Sequence, residues 1–516
     1  MLLPARTGAL ARAHTGRARW PGEVATETWV VIGLTVLAAV LRLALIGSQS
    51  YWLDESQAAH ELGLSFGGML RAWSSAEWNP PLYLIVAWPW ARLFGTGAVA
   101  LRSLSALAGV AVVPLIYLCG RELVSAPAGV AAAALAAVNP FMIWYSQEAR
   151  EYMLMTALCA GSLLLFARAW RTRSRRDLVW WAVLSALALL TQYFAAFLIA
   201  AEGLALVWHL RSRASVLALG AMAVVLAPFV PHVIPRLQSP ALFITAQPLA
   251  LRLQQVPVTF GLGQLYKGPI VSDGLLGAAA LAAAVVGLLV AGAGDGELRG
   301  AAIAAMLAAA VLLLPLALAL LGHDDYIARG LMPAWPPLAV VVGAACTAER
   351  ARIAGAALAA VLIVAFVWAG IETDSDRFYQ RDDWRGVAAA LGTARGPRAI
   401  VTTSGQFATG PLSYYLPGVL WSGPGAPKVR GTGPATIDEL DVVGNVGDQV
   451  ASRLPRGWSL IAERGVDGYL VVRLALPAPW STDGAAITQT ATRLLSDAPL
   501  APPVMIQRPS ASGFSR

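Results

Sequence analysis

The chain has 516 residues, 57% of them hydrophobic and 13% charged, and its mean hydropathy of +0.62 excludes an ordinary soluble globular protein. The formal net charge of +8 does not point to nucleic acid, because the arginines cluster in short loops between apolar segments, as the positive-inside rule describes. Cys119, Cys159 and Cys346 fall in apolar stretches without metal or disulfide spacing and read as small core hydrophobes.

Residues 1–27 form a basic N-terminus with Arg6, Arg12, Arg17 and Arg19, and the apolar run that follows continues through Ile46 without a cleavage site. It predicts an anchored first span. Windows of about 17 to 25 apolar residues, enough to cross about 30 Å of hydrocarbon, recur from Thr28 to Gly370. The pattern predicts a polytopic α-helical membrane domain over 28–370 with about 11–12 transmembrane helices. The candidate segments are 28–46, 81–97, 100–119, 127–145, 152–168, 178–192, 194–209, 215–231, 273–293, 300–321, 332–347 and 353–370.

Four basic stretches set the orientation: the N-terminus, Arg168 through Arg176, His209 through Arg213, and Glu349 through Arg352. Placed in the cytoplasm, they leave residues 47–80, 147–152, 191–194, 232–272 and 323–329 facing outward. One parity conflict follows: three apolar segments separate Asp54 from Glu148, although two outward residues need an even number of crossings. The short segment 81–97, with Pro89 between Trp88 and Trp90, is the one expected to be juxtamembrane or re-entrant.

After Gly370 the chain turns mixed polar and rich in Gly and Pro. AIVTTS and GYLVVRLAL read as strands and DDWRGVAAALG as an amphipathic helix ended by Gly392. A small extracytoplasmic α/β domain is expected over 371–500, with residues 501–516 as a disordered tail.

Three polar constellations gather on the outward side. The first is Asp54-Glu55 in the loop 47–80, flanked by Tyr51 and Trp52, with QAAHELGLSFGGMLRAW reading as an amphipathic helix on the membrane. The second is NPFMIWYSQEAREY, carrying Glu148, Arg150 and Tyr152. The third is GHDDYIARGLMPAWPP, carrying His323, Asp324, Asp325, Tyr326 and Arg329. Each is also compatible with a solvated helix cap. His323 has no second histidine at ligand spacing.

The order of these motifs, with NPPLY, ALRSLSALAG, TQYFAAFL and YQRDDWRGVAAAL between and after them, resembles the GT-C fold enzymes of the dolichyl-phosphate-mannose protein mannosyltransferase and aminoarabinose transferase superfamily, also described as glycosyltransferase family 39. The resemblance covers roughly residues 28–400. It implies a GT-C fold, a polyprenyl-phosphate sugar donor, and a glycan, lipid or protein acceptor of the cell envelope, with the active site on the extracytoplasmic side of the cell membrane. It further implies Asp54 as the first-loop catalytic acid with Glu55 beside it, Glu148 in the second acidic motif, and Arg150, Arg329 and Tyr326 near the donor phosphate. Tyr152, Asn79, Gln192 and Tyr193 match substrate-facing positions. Asn79 and Gln192 stand where many relatives carry histidine or lysine, so a divalent metal stays an open expectation.

The chemistry agrees with this set. The acceptor hydroxyl must lose its proton as it attacks the anomeric carbon, which a carboxylate such as Asp54 can accept. The phosphate leaving group needs cations, for which arginine offers two-pronged contact. One displacement inverts the anomeric centre, whereas retention would need a second carboxylate as nucleophile. The long loop 232–272, with Tyr266 and Lys267, reads either as a lid or as a packed cap. A small-solute or lipid transporter is the alternative, but it predicts ionisable groups near mid-span, whereas these acids sit at outward ends.

Overall fold

The computed structural model describes residues 21–76, 79–231, 242–420, 435–446, 450–495 and 503–508, together with residues 234 and 448. The expected basic N-terminus up to residue 20, the start of the 232–272 loop and most of the expected tail lie outside the described residues.

The apolar runs are helical, since in hydrocarbon every backbone N–H and C=O has to find its partner inside the segment. In chain order they are α1 Pro21–Leu43, α2 Leu53–Gly63, α3 Phe66–Ala76, α4 Leu82–Phe94, α5 Ala98–Leu123, α6 Ala126–Val138, α7 Pro140–Ser146, α8 Tyr152–Thr172, α9 Arg175–Thr191, α10 Ala195–Leu210 and α11 Arg213–Leu226. They continue as α12 Leu249–Leu262, α13 Gly274–Gly292, α14 Asp295–Leu320, α15 Trp335–Cys346 and α16 Arg352–Ser375. Each of the twelve expected segments coincides with one of these helices to within several residues, α6 and α7 together making one of them. Among the described residues, six helices are by themselves long and apolar enough to cross a membrane, and the pair α6–α7, bent by 58°, gives a seventh. Shorter apolar helices lie between them at Leu82–Phe94, Ala195–Leu210, Arg213–Phe229 and Met332–Cys346.

The bend between α6 and α7 has a local cause. Pro140 carries no N–H, and Asn139 leaves the helical region and caps α7 by accepting a hydrogen bond from the Met142 N–H at 3.0 Å. The carbonyls stranded at the end of α6 are taken over by Arg42, whose Nη2 donates to Ala136 O and Nη1 to Ala137 O, both at 2.9 Å. Small residues let the helices close up: a Cβ on Gly120 would lie 2.6 Å from the Gly129 Cα, so α5 and α6 meet backbone to backbone. Cys119, Cys159 and Cys346 are buried free thiols in this packing, as their apolar context predicts.

The loops sort onto two ends of the bundle. At one end Glu122, closing α5, pairs with Arg171 at 2.6 Å and Arg168 at 3.5 Å, His209 stacks on Trp170, and Gly292 abuts Ala348 and Ala351. The described basic loops 168–176, 209–213 and 349–352 therefore share that end. The other end carries the acidic constellations.

Both termini of α4 lie at the acidic end. Asn79, just before it, donates to Glu151 at 2.8 Å, and Thr96, just after it, accepts hydrogen bonds from the Tyr51 and Tyr414 hydroxyls at 3.0 Å each. Its 13 residues span only about 20 Å. The helix α4 thus returns to the end it starts from, which agrees with the expectation that 81–97 is the segment that does not cross.

The first outer segment differs from its expectation. It forms two helices, α2 and α3, broken at Leu64-Ser65, and 8 of the 11 residues of α2 are buried. The helix α2 packs into the protein, with Glu55 bonded to Arg102 of α5 and Gln57 donating to Glu61 within α2 itself, and it is not one amphipathic helix running through to Trp73.

Beyond α16 the chain forms an α/β domain of helices α17 Trp384–Leu391, α18 Gln406–Tyr415 and α19 Gly484–Leu494 on a five-stranded sheet ordered β3-β4-β2-β1-β5. Its strands are β1 Arg398–Thr402, β2 Ala435–Asn445, β3 Ser459–Val466, β4 Tyr469–Thr482 and β5 Val504–Gln507. β1 and β2 run parallel and the other neighbours antiparallel. α17 and α18 cover one face, around Trp384, Leu391 and Leu412, and α19 the other, around Ile487 and Leu494. The strand β5 corrects part of the expected tail: VMIQ alternates burial and closes the sheet edge against β1.

Candidate active site

The acidic end is built from carboxylate and arginine pairs, most of which join distant parts of the chain. Glu55 receives a bidentate pair from Arg102 of α5, with both N···O distances 2.7 Å, and a further hydrogen bond from the Ala149 N–H at 2.9 Å. Arg102 also donates to Ile46 O, Gln49 O and Ser50 O, so one buried guanidinium ties the first outer loop to α5. Burial acts to raise the Glu55 carboxyl, but Arg102 and Arg381 outweigh it and hold it below the ordinary value. Glu55 is thus fully buried and held by fixed partners.

That neighbour, Asp54, lies one residue away on α2 and points to the open side. Its Oδ2 stands 3.7 Å from Arg329 Nη1, with side chains 25% and 19% exposed, respectively. The Arg329 guanidinium also lies over the rings of Trp52 at 5.5 Å and Tyr152 at 5.9 Å, a cation–π cradle that orients it. Asp54, Arg329 and Tyr152 are thus brought together.

Glu148 sits in the turn after the bent pair and is 2% exposed. Burial pushes its carboxyl up to about 7 against the pull of Arg381. Its Oε2 accepts from Arg381 Nη2 at 3.0 Å, while its Oε1 and the Trp52 indole N–H are buried without a hydrogen-bond partner among the described residues.

Arg381, like Arg102, is a site residue that sequence reasoning missed. It belongs to the segment joining α16 to the α/β domain, more than two hundred residues from its partners, and the sequence marked it only as one letter in YQRDDWRGVAAAL. Its fixed position has a local origin. Asp376 caps the turn at Arg377–Tyr379, and Asp383 caps α17 by accepting from the Gly386 N–H at 3.0 Å, leaving Arg381 between two caps.

The remaining expected residues take different places. Arg150 is held by Glu151, Nε to Oε2 at 2.9 Å, and Asn79 reaches that same carboxylate. Gln192 closes its own turn by accepting from the Phe194 N–H, and Tyr193 is half-buried in that turn. Tyr326 packs with Val256 and Leu331, while its carbonyl and the Asp324 carboxylate accept from Arg252. Tyr326 and Asp324 thereby anchor the loop that carries Arg329, which passes so close to Phe194 that a Cβ on Gly330 would meet the ring at 2.9 Å. The described part of the 232–272 loop is largely helical and packed, with Asn139 and Trp335 donating to Phe260 O at 2.9 and 3.3 Å. Among the described residues no three His, Cys, Asp or Glu side chains form a metal-binding group.

Residues 79–234 match the profile of the dolichyl-phosphate-mannose-protein mannosyltransferase family. The structure is similar to that of ArnT from Cupriavidus metallidurans in the apo state, with a TM-score of 0.54 at 13% identity over 87% of this chain and 98% of that one. It is also similar to the same organism's ArnT bound to undecaprenyl phosphate, with a TM-score of 0.50 at 14% identity over 88% of this chain and 98% of that one. No curated protein matches the sequence. The likeness shows the fold, the GT-C fold of ArnT, and the mannosyltransferase profile match falls within its helical bundle, at residues 79–234.

Proposed function

We propose that the chain transfers a sugar from a polyprenyl-phosphate donor to an acceptor hydroxyl of the cell envelope, on a glycan, lipid or protein, with Asp54 as the general base. The reaction takes place at the extracytoplasmic face of the cell membrane, at the end of the bundle opposite the basic loops. The observation that carries this reading is the Asp54–Arg329 pair, an acid and a cation side by side in the half-open part of an otherwise buried charge cluster. The family profile matched by residues 79–234 and the undecaprenyl phosphate bound to the similar ArnT support a lipid-phosphate donor. A lipid donor also accounts for a bilayer-embedded enzyme, because a long isoprenoid leaves hydrocarbon only at large apolar cost.

In the proposed step the acceptor hydroxyl gives its proton to Asp54 as its oxygen bonds to the anomeric carbon. The bond from that carbon to the phosphate oxygen breaks, and the electron pair leaves with the phosphate, where Arg329 balances its charge. A single displacement inverts the anomeric centre. Glu148 Oε1 and the Trp52 indole N–H, both beside Arg329, offer one acceptor and one donor to hydroxyls of the sugar. Arg150 already neutralises Glu151, so Arg329 is the principal phosphate contact.

The test is Asp54→Asn in the full chain, assayed with polyprenyl-phosphate sugars. Turnover falls by about 10²- to 10⁴-fold with donor binding retained. Unchanged turnover in a folded Asp54→Asn protein would remove the base assignment.

A further inference from the structure

The soluble domain reaches into the charge cluster through a single side chain. Arg381 is 8% exposed, and its guanidinium lies between two buried carboxylates, 3.0 Å from Glu148 and 3.9 Å from Glu55. It lies over Trp144 at 4.2 Å from the ring centroid and donates to Gln147 O at 3.4 Å. Its backbone N–H donates to Gln49 Oε1 at 3.0 Å. The flanking segment is seated by independent contacts. Ser50 Oγ donates to Asp383, the Arg385 side chain donates to Gly47 O and Gln49 O, and Lys267 donates to Tyr379 O and Gln380 O. On the domain side, the Asp383 N–H donates to Asp467 Oδ2 at 3.0 Å. The position of this arginine is therefore set jointly by the membrane domain and by the sheet.

We propose that Arg381 is a positioning residue of the transfer reaction, holding Glu148 and Glu55 in register, so that the active site is complete only when segment 376–385 is seated on the first outer loop. This rests on the transferase reading above. Without Arg381, Glu148 has lost the one cation bonded to it. It then faces Asp54 and Glu55, whose own paired cations are Arg329 and Arg102, so its free Oε1 no longer has a fixed direction. Burial of a carboxylate stripped of its partner is costly, and a displacement of about 1 Å at a reacting centre costs about 100-fold in rate.

Two measurements decide it. In the first, the full chain in lipid nanodiscs is assayed with synthetic polyprenyl-phosphate mannose as wild type, Arg381→Ala, Arg381→Lys and, as a control on the exposed edge strand β3, Arg464→Ala. Arg381→Ala lowers kcat by about 100-fold with KM for the donor little changed, and it moves the acid limb of the pH profile upward because Glu148 has lost its cation. Arg381→Lys recovers part of both effects, and Arg464→Ala leaves both unmoved. A kcat and pH profile unchanged in Arg381→Ala overturn the proposal, as does a lowered kcat whose pH profile stays in place. The second measurement needs no donor. Thermal unfolding of Arg381→Ala, Glu148→Gln and the double variant is expected to be non-additive, because the two residues share one interaction; additivity overturns the proposal. If wild type fails to use any polyprenyl-phosphate sugar, the functional reading falls and the thermal cycle alone decides the role of Arg381.

Discussion

Glu148 is held between opposing influences, with burial raising its carboxyl to about 7 and Arg381 pulling the other way. The sign of the consequence is fixed by linkage. Between its ordinary value and about 7 the folded protein retains a proton that the unfolded chain releases, so Glu148 makes stability fall as pH rises through that window. In Glu148→Gln this fall disappears, and thermal unfolding measured across the window becomes flatter than in wild type. A fall of equal size in both proteins would show that another group titrates there. The contrast between Asp54 and Glu55 belongs to the same scale. Successive side chains on a helix point about 100° apart, so adjacency in sequence guaranteed that the two acids would meet different surroundings. Sequence alone could name the pair and set it at the end opposite the basic loops. Which acid is buried depends on Arg102, nearly fifty residues away, and such a long-range partner leaves no periodic signal. Arg381 was hidden for the same reason.

Among the elements, the spans were the most legible, because an apolar run long enough to cross hydrocarbon has almost no alternative conformation. The break between α2 and α3, the return of α4 and the bend between α6 and α7 were less so, since each depends on side chains that satisfy freed backbone groups from elsewhere. The bend is the clearest case. Arg42 of α1 holds the carbonyls of Ala136 and Ala137, and α7 carries the chain from this point to Glu148. In Arg42→Met two buried carbonyls lose their donors at a cost of about 1–3 kcal/mol each. The expected outcome is a lower unfolding temperature in detergent together with reduced turnover. A variant as stable and active as wild type would show that water or another donor replaces the guanidinium. Glu202 illustrates a polar group whose part is structural: fully buried in α10, it accepts from Trp181 Nε1 at 2.8 Å and Ser162 Oγ at 3.4 Å, joining three helices by hydrogen bonds. Such a carboxyl tolerates Gln better than Leu, a ranking that thermal unfolding checks.

For the molecule as a whole, the two ends of the bundle make opposite predictions about accessibility. Arg173 lies in a basic loop at one end and Glu463 on the exposed strand β3 of the domain at the other. The native thiols are buried, so single introduced cysteines report cleanly. A membrane-impermeant maleimide added to intact cells is expected to label Glu463→Cys but not Arg173→Cys, and both after permeabilisation. The reverse pattern would place the candidate site in the cytoplasm. The α/β character of the domain was readable from its strand and helix patterns, and its position against the site was not, because docking rests on a few specific contacts around residues 376–385 rather than on composition.

Those contacts leave the molecule without a seam. A cut at residue 375 would carry Arg381 away with the sheet, and a cut after Gly392 would strand Trp384 and Leu391 outside the core they help to fill. Recombination between relatives could therefore not exchange the α/β domain as an interchangeable module without breaking either the charge cluster or the domain's own core. The two halves are expected to be inherited as one unit and to diversify together.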